Sequence, residues 1–257
     1  MKEYILITGA SSGIGHEMAH QLAEKAYNLI LVARNESKLK QMQTDLTKKY
    51  GVLIHYYVAD LYDPNIAIDL HKKIKDENLS VSHLVNNAGV GNYGNFTETS
   101  LEEELDMIQL NISSLVVLTK LFAQDMVKRK YGRIMNIGSV LSFLPLPYFA
   151  VYSATKAFVM AFSDTLSAEL EGTGVIVNSL YPGTTNTAFT TEEMHSTNLH
   201  KTKPMHPEIV AEQGIKHLLA GNGKKVVGFQ NWFNSKLPNF VPDNIMMKIK
   251  KGLASQK

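Results

Sequence analysis

A tyrosine and a lysine four residues apart could carry out acid–base chemistry. They are Tyr152 and Lys156, in the run YSATK on a predicted helix. Side chains four apart share one helix face, so the phenol and the ammonium can point into one site. A phenol has a reference pKa of about 10, and a cation at about 5 Å in an effective dielectric of about 20 is expected to lower it by about two units. Tyr152 would then act as a general acid and base.

A serine upstream of this pair could bind the oxygen of a carbonyl group. Ser139 lies just past the predicted strand Arg133–Gly138, at the carboxyl end of that strand. Its hydroxyl could hold the oxygen where negative charge changes during hydride transfer. A tyrosine and a lysine at helical spacing are by themselves common on ordinary surfaces. The assignment therefore depends on the rest of the chain.

A glycine-rich turn near the N-terminus could bind the phosphates of a nucleotide. The first predicted strand ends in TGASSGIG, residues 8–15, and a helical pattern follows at once. Such a turn presents backbone N–H groups and the positive end of a helix to a pyrophosphate. A purely structural turn is the alternative. The predicted contacts are Gly9, Ser11, Ser12, Gly13, Ile14 and Gly15.

The residues after the second predicted strand indicate which dinucleotide would bind. The sequence there reads LVARN, residues 31–35, about 20 residues past the glycines, where a dinucleotide fold contacts the adenosine ribose. An acidic side chain at this position would repel a 2′-phosphate. Here Ala33 leaves room for that phosphate, and Arg34 supplies a guanidinium that can pair with it. NADP(H) is therefore favoured over NAD(H), with a solvated surface arginine as the alternative.

Strand-like and helical segments alternate along the chain, as βαβ units require. Strands are predicted at 3–8, 28–33, 52–58, 82–86, 132–137, 174–180 and 224–228. Helical patterns begin near Gly13, Asn35, Asp63, Leu101, Val151 and Pro207. The alternation predicts an α/β fold of the three-layer, doubly wound Rossmann type, whose seven-stranded, mainly parallel sheet is flanked by helices.

We expect residues 1–257 to form a single dinucleotide-binding oxidoreductase domain with two substrate loops, 140–149 and 183–206. Both loops follow carboxyl ends of predicted strands, where open α/β sheets bind ligands. The apolar side chains of the first loop favour a small to medium apolar ketone or aldehyde over a sugar. Packing of this loop on its own helix or on a second subunit is the alternative. The Thr-rich segment Thr184–Thr202 is expected to be a lid that orders on binding.

The motifs follow the order of one enzyme family. TGASSGIG at 8–15, NNAG at 86–89, Asn111, Ser139, YSATK at 152–156 and Pro182-Gly183 together resemble the motif set of the short-chain dehydrogenase/reductase family. The resemblance covers nearly the whole chain. It implies that Tyr152 is the acid/base and that Lys156 also binds the nicotinamide ribose. It further implies that Ser139 orients the substrate and that Asn111 supports a water-linked proton relay.

The same resemblance implies further contacts with NADP(H). Positions that match the adenine side are Asp60, Asn86 and Gly89, and positions that match the nicotinamide side are Pro182, Gly183 and Thr187. The dipeptide Ala33-Arg34 resembles the branch of the family that uses NADP. Within the family, the chain is most similar to the DltE-like bacterial oxidoreductases, a likeness that names no substrate.

Two other functions remain open at this point. The segment His16–His20 reads HExxH, in which two histidines on one helix face can bind zinc. Met18, Ala19 and Leu22 are expected to face the sheet and to leave both histidines toward solvent, and no third ligand is recognisable, so no metal site is predicted. A dinucleotide-binding sensor or interaction protein on the same fold is the other alternative, which the intact catalytic set disfavours.

Composition excludes several classes of function. The chain of 257 residues has no cysteine, which excludes thiol catalysis, disulfides and cysteine-bearing zinc sites, and its formal charge of +2 predicts no nucleic-acid partner. No signal peptide is predicted, and the most apolar stretch, Leu115–Val127, is interrupted by polar residues, so no membrane span is expected. A cytoplasmic location follows by default.

The expected partner is a small-molecule carbonyl or alcohol substrate, and the chain is expected to form a homodimer or homotetramer. The stretch Trp232–Ile249, with nearby Lys248, Lys250 and Lys251, could dock on a partner subunit or touch anionic lipid. A short basic tail is usually only solvated, so membrane contact is not predicted.

Overall fold

A parallel β-sheet runs through the protein, and the computed structural model describes residues 2–201 and 204–255. Its seven strands are β1 (Glu3–Thr8), β2 (Asn28–Ala33), β3 (Ile54–Val58), β4 (Ser80–Asn86), β5 (Gly132–Ile137), β6 (Val175–Tyr181) and β7 (Gly223–Val226). Their order across the sheet is β3-β2-β1-β4-β5-β6-β7, and every paired register is parallel. The predicted fold class is confirmed, and each predicted strand lies within two residues of its observed bounds.

Helices cover both faces of the sheet. They are α1 (Gly13–Glu24), α2 (Glu36–Tyr50), α3 (Pro64–Asp76), α4 (Leu101–Ile108), α5 (Leu115–Lys128), α6 (Ala150–Glu169), α7 (Glu192–His195), α8 (Pro207–Ala220), α9 (Phe229–Lys236) and α10 (Asp243–Ala254). One apolar cluster packs α1, α2 and α8 on one face. A second packs α3 and α5 on the other face. Strands that are buried on both faces need apolar side chains at successive positions, which is why their sequences show no alternation.

Local signals set where several helices begin. Asn35 caps α2, because its side chain accepts a hydrogen bond from the backbone N–H of Lys38 at 3.0 Å. Asp63 caps α3 in the same way, and Pro64 occupies the first turn, where its missing N–H costs nothing. Gly51 follows α2 with a φ of +70°, a left-handed conformation that glycine adopts without strain.

A continuous helical stretch, Leu101–Lys128, joins α4 and α5 through a π-helical turn at Gln109–Ser114. Within the described residues, this stretch alone is long and apolar enough to cross a membrane by length and composition. No membrane-spanning segment was expected from the sequence. Its buried side chains, including Leu118, Phe122 and Met126, belong to the second apolar cluster. The apolar character of the stretch therefore serves packing against the sheet.

The strand order places a ligand site between β1 and β4. The chain moves outward from β1 to β3 and then returns to the other side of β1, so the connections after β1 and β4 diverge. In open α/β sheets this switch point leaves a crevice at the carboxyl ends of the strands. The glycine-rich turn, the NNAG motif and Ser139 all follow strands at this edge.

Candidate active site

Positive backbone angles shape the glycine-rich turn between β1 and α1. Gly9 has a φ of +65° and Gly13 one of +57°, in the region that favours glycine. A Cβ atom on Gly9 would lie 2.9 Å from Asn87 Nδ2 and 3.0 Å from Ala88 Cα. The turn therefore has no room for a side chain at Gly9, and its backbone lines a cleft.

Hydrogen bonds from two neighbouring strands hold this turn in place. Thr8 Oγ1 accepts from the backbone N–H groups of Asn87 and Ala88 at 3.0 and 2.9 Å. In return, Asn87 Nδ2 donates to the carbonyl oxygen of Thr8 at 2.9 Å and to that of Gly9 at 3.3 Å. The ends of β1 and β4 are thereby joined beside the cleft.

The start of α1 offers free backbone donors to an anion. Its N-cap, Ser12, makes no side-chain capping hydrogen bond, and its first turn carries no acidic residue. The first N–H groups of a helix have no partner within the helix, and the positive end of the helix dipole favours negative charge. The turn and the helix start thus fit the pyrophosphate of a dinucleotide.

Arg34 lies in the same cleft, just past β2. Its guanidinium carbon is 5.1 Å from the centroid of the Tyr62 ring, within the range of a cation–π contact. Asp60 is exposed, and its Oδ1 accepts from the backbone N–H of Tyr62 at 3.3 Å. Asp60 lies outside the lining of the cleft, whereas Arg34 is part of it. The structure therefore brings Arg34 to the glycine turn.

Ser139, Tyr152 and Lys156 meet at the other end of the cleft. Ser139 lies close enough to the Tyr152 phenol for its side chain to lower the pKa of that phenol, and Lys156 Nζ lies 5.9 Å from the centroid of the Tyr152 ring. Ser142 connects the two segments: its Oγ accepts from the backbone N–H of Ser139 at 3.3 Å and donates to the carbonyl oxygen of Lys156 at 2.7 Å. The loop after β5 is thus held against the helix α6.

Asn111 lies in the π-helical turn and is fully buried. Its Nδ2 donates to the carbonyl oxygen of Val90 at 2.9 Å and to Thr155 Oγ1 at 3.1 Å, while its Oδ1 accepts from the backbone N–H of Val90 at 3.0 Å. Thr155 Oγ1 in turn donates to the carbonyl oxygen of Tyr152 at 2.8 Å. A Cβ on Gly89 would lie 3.0 Å from Asn111 Oδ1 and 3.4 Å from Lys156 Nζ. Asn111 therefore connects the NNAG loop to α6.

Burial sets the charge states of Tyr152 and Lys156. It raises the pKa of Tyr152 to about 12, against the opposing effect of the Ser139 side chain, and it lowers the pKa of Lys156 to about 8. The expectation that the ammonium lowers the pKa of the phenol is therefore wrong. Desolvation of the phenolate is the dominant effect, and the Lys156 ammonium donates instead to the carbonyl oxygen of Ile137 at 3.0 Å. At pH 7 the phenol keeps its proton.

One cleft of about 500 Å³ runs from the glycine turn to these residues. Predicted cofactor contacts in its lining are Gly9, Ser12, Gly13, Ile14, Arg34, Gly89, Tyr152, Lys156, Pro182, Gly183 and Thr187. The wall near Tyr152 is apolar and includes Val90, Leu141, Phe149, Phe189, Met194 and Leu199. Phe189 is the nearest aromatic neighbour of Tyr152 in this wall, with ring centroids 5.6 Å apart. The cleft joins a phosphate-binding end to an apolar end.

Three predicted cofactor contacts besides Asp60 lie outside this lining: Ser11, Gly15 and Asn86. The Asn86 side chain is buried in the sheet, where its Nδ2 donates to Thr119 Oγ1 at 2.8 Å and to Asn136 Oδ1 at 2.9 Å. The neighbouring Asn87 lines the cleft instead. Side chains alternate between the faces of a strand, and β4 ends at Asn86. The side chains of Asn86 and Asn87 therefore lie in different surroundings.

Part of each predicted substrate loop lines the cleft. In 140–149, Val140, Leu141 and Phe149 line the cleft, while Leu144 and Leu146 pack in a third apolar cluster with Tyr152 and residues of α10. In 183–206, the lining extends from Gly183 to Leu199, and backbone hydrogen bonds link Thr184 and Asn186 with Met205. Residues 202 and 203 lie outside the described part of the chain. Ordering of the lid on binding stays a prediction.

The HExxH motif lies on α1, away from the cleft. The rings of His16 and His20 contact each other, with centroids 4.4 Å apart. Met18, Ala19 and Leu22 pack in the core as expected, whereas both histidines are partly buried rather than fully exposed. Burial together with His16 lowers the pKa of His20. Across residues 2–201 and 204–255, no three His, Asp or Glu side chains lie close enough to hold a metal ion.

Comparison with known proteins identifies a family and several relatives. The family model for short chain dehydrogenases matches residues 3–198. A very-long-chain 3-oxoacyl-CoA reductase from Pyrenophora tritici-repentis is 40% identical over 189 residues, which cover 72% of this chain and 55% of the relative. One from Anas platyrhynchos is 31% identical over 259 residues, covering 98% and 81%. The chain thus spans about half the length of the fungal relative.

Solved structures show the same fold with bound cofactors. A short-chain dehydrogenase from Sphingobium yanoikuyae in complex with NADPH is 27% identical, with a TM-score of 0.82 and coverage of 95% of this chain and 97% of that one. The L-sorbose reductase of Gluconobacter frateurii, complexed with NADPH and L-sorbose, is 25% identical, with a TM-score of 0.77 and coverage of 88% and 95%. None of these relatives tests the likeness to DltE-like oxidoreductases, which stays a prediction.

Proposed function

Since the chain belongs to the short-chain dehydrogenase family, we propose that it is an NADPH-dependent reductase of the 3-oxo group of a long-chain acyl thioester. The observation that carries this proposal is the single cleft in which the Ser139–Tyr152–Lys156 group lies between a phosphate-binding end and an apolar wall. The relatives named as very-long-chain 3-oxoacyl-CoA reductases support the choice of substrate class.

The residues of the cleft fit NADPH, which would supply the hydride for the carbonyl carbon. The glycine turn and the start of α1 would hold the pyrophosphate, because their backbone donors are free and Gly9 leaves no side chain in the way. Arg34 would pair with the 2′-phosphate. Lys156, Gly183 and Thr187 would adjoin the nicotinamide half.

Tyr152 would donate the proton that completes the reduction. With its pKa raised to about 12, the phenol is protonated at neutral pH and can pass its proton to the carbonyl oxygen as negative charge develops there. Ser139, whose side chain interacts with the Tyr152 phenol, would hold the same oxygen. A phenol that keeps its proton suits reduction better than oxidation of an alcohol, which needs a base.

Lys156 and Asn111 would support this proton transfer. Lys156, with a pKa of about 8, is mostly charged at pH 7 and would stabilise the phenolate left behind. Asn111 would position the backbone of Val90 and α6, because it is hydrogen-bonded to Val90 and Thr155. A water-linked relay through Asn111 would then return a proton to Tyr152.

The wall beyond Tyr152 would bind the acyl chain. Leu141, Phe149 and Phe189 present apolar surface on the substrate side, and each buried methylene contributes about 0.8 kcal/mol. A flexible chain can extend along such a wall, whereas a polyhydroxylated substrate would leave its hydroxyls without partners. A long acyl thioester therefore fits better than a sugar.

A substrate series tests this proposal. Oxidation of NADPH should be followed with 3-oxoacyl thioesters of rising chain length, and with L-sorbose as the polar control. We expect kcat/KM to rise by about fourfold per methylene until the wall is filled, with Tyr152→Phe as the inactive control. A flat series, or better activity on L-sorbose, would overturn the substrate class.

A sensor or interaction role is the other outcome of this experiment. One relative, from Pongo abelii, is named inactive hydroxysteroid dehydrogenase-like protein 1 and is 32% identical over 239 residues. Binding of NADPH without turnover on thioesters, bulky ketones or aldehydes would support that role. The single-domain organisation, the cytoplasmic location and the homodimeric or homotetrameric state stay predictions.

A further inference from the structure

Two helices at the C-terminal end and the turn between them expose large apolar side chains. The exposed residues, which we name the C-terminal apolar surface, are Phe229, Trp232, Phe233, Phe240, Ile245, Met247 and Ile249. Phe229 is 79% exposed and Phe240 is 83% exposed. Single exposed apolar residues are ordinary, but a concentration of them within 21 residues of chain indicates a docking surface.

The exposed residues of α9 form a stripe at helical spacing. Phe229, Trp232 and Phe233 are at positions i, i+3 and i+4, and Lys236 follows at i+7, so the four share one face. The Phe229 and Trp232 rings are stacked, with centroids 5.9 Å apart. Ser235, which lies outside this face, is buried. Folding therefore directs the aromatic side of this helix outward.

The helix α10 repeats this arrangement. Met246 and Ala254 are buried in the third apolar cluster and attach the helix to the protein. Ile245 and Ile249, four residues apart, share a strip beside Lys248 on the exposed side. The exposed side thus combines branched apolar side chains with an ammonium group.

The charge of this end of the chain is opposite to that of the rest. Residues 223–255 contain six lysines and one aspartate, a net charge of +5, whereas the whole chain carries +2, which leaves −3 for the remaining residues. Lys224 pairs with Asp164. Among the described residues, the lysines of α9 and α10 form no ion pair. Their charge is available to an anionic partner.

We propose that the C-terminal apolar surface docks on a membrane that contains anionic lipid. Aromatic side chains suit the headgroup level of a bilayer, and lysines can extend their charged ends toward phosphates while their stems lie on apolar surface. An amphipathic helix with a basic face binds such membranes in the plane of the interface. The proposal departs from the expectation of a merely solvated tail, because the segment folds into two helices attached to the protein.

A second copy of this chain fits the surface less well. A twofold symmetric interface would place each patch against itself, and would bring the net charge of +3 that residues 229–251 carry, from four lysines and one aspartate, against an equal charge. Repulsion between like charges would oppose that contact, whereas anionic lipid would neutralise it. The positive charge of the surface thus favours anionic lipid over a second copy of the chain as the partner.

Docking here would bring the cleft close to the membrane. Gly183, which lines the cleft, lies directly against Asn231 of α9, and Asn231 Nδ2 donates to the carbonyl oxygen of Val227 at 2.8 Å. Tyr93 Oη donates to the carbonyl oxygen of Ala254 in α10 at 2.8 Å. Both helices are thus attached to segments that surround the cleft. Lipid binding itself does not depend on the proposed reaction.

Trp232 is the single tryptophan of the chain and reports on the surface directly. The full chain should be mixed, without NADPH, with vesicles of phosphatidylcholine alone or of equal parts phosphatidylcholine and phosphatidylglycerol. With the anionic vesicles we expect a blue shift of the emission and quenching by brominated acyl chains. Raised salt should weaken binding, because it screens the lysines.

Variants identify the residues responsible. Replacing Lys236, Lys248 and Lys251 by Gln should weaken the partition coefficient by about 100-fold, since each lysine contributes about fivefold, or about 1 kcal/mol. Phe229→Ser with Phe233→Ser should abolish quenching while Trp232 is retained. Ile68→Ser, on the exposed side of α3, is the matched control and should bind like the wild type.

Three outcomes would overturn the proposal. The first is unchanged emission with anionic vesicles, and the second is equal loss of binding in the Ile68→Ser control. The third is a concentration-dependent dimer that shields Trp232 without lipid and dissociates in the variant with Phe229→Ser and Phe233→Ser, which would assign the surface to a second copy. Because the readout is fluorescence, a failure of the proposed thioester activity leaves this test unaffected.

Discussion

Replacing Lys156 by Met should stabilise the protein while removing its activity. Lys156 is 6% exposed, and burial lowers its pKa from an ordinary value of 10.5 to about 8. One pKa unit corresponds to about 1.36 kcal/mol, so the buried ammonium destabilises the fold by about 3 kcal/mol at pH 7. Methionine has a similar length and carries no charge. Loss of the hydrogen bond to Ile137 costs about 1 kcal/mol, which leaves a net gain of about 2 kcal/mol.

The pH dependence follows from the direction of this pKa change. Below pH 8 the lysine is charged in both the folded and the unfolded protein, so the destabilisation is fully present. Between 8 and 10.5 the folded protein releases its proton first, and the wild type gains stability as the pH rises. The difference between Lys156→Met and the wild type should therefore shrink toward higher pH.

Urea unfolding without NADPH measures these differences in the free energy of unfolding. The wild type, Lys156→Met and the exposed control Lys120→Met should be compared at about pH 7 and about pH 10. We expect a gain for Lys156→Met at the lower pH only and almost no change for Lys120→Met. A less stable Lys156→Met at pH 7, or a gain that does not vary with pH, would refute the reasoning.

Four further substitutions test the site. Tyr152→Phe should lower kcat by about 10²–10⁴-fold while NADPH affinity in a fluorescence titration is unchanged, since only the transferable proton is lost; wild-type turnover would contradict the assignment. The wild type should prefer NADPH over NADH by about 10- to 150-fold in Kd, or about 1.5–3 kcal/mol, and Arg34→Asp should reverse this; equal affinities would remove Arg34 from the site. Gly13→Ala should weaken NADPH binding by about tenfold, because its φ of +57° strains alanine and Thr187 lies 3.1 Å from the new Cβ; unchanged calorimetric affinity would argue against the phosphate site. Phe189→Ala should lower kcat/KM for long 3-oxoacyl thioesters by about tenfold and spare short ones; an equal loss on both would make Phe189 a structural residue.

The elements and the order of the motifs follow from the sequence alone. Buried parallel strands need uninterrupted apolar runs and helices need apolar positions at helical spacing, so the seven strands could be located within two residues. The glycines at 9 and 13 and the Tyr152–Lys156 pair are equally local signals, since a tight turn and one helix turn are short-range geometry. The cleft contains all four of these residues.

Burial and side-chain direction are decided by the tertiary structure. The pKa of Tyr152 rises because the surrounding elements exclude water from it, and spacing along a helix says nothing about solvent. Asn86 lies in the sheet while Asn87 faces the cleft, a difference that depends on which strands adjoin β4. Phe189 is far from Tyr152 along the chain and meets it only through folding.

The C-terminal segment shows the same division most clearly. Its lysines and aromatic residues are visible in the sequence, but whether the aromatic side chains fill a core or face outward depends on what else covers them. Met246 and Ser235 are buried, while Phe229 and Phe240 are left exposed. The sequence therefore determines which chemical groups this segment has. The packing of α9 and α10 against the rest of the chain determines which of those groups a partner can reach, because burial depends on contacts between residues that are distant along the chain.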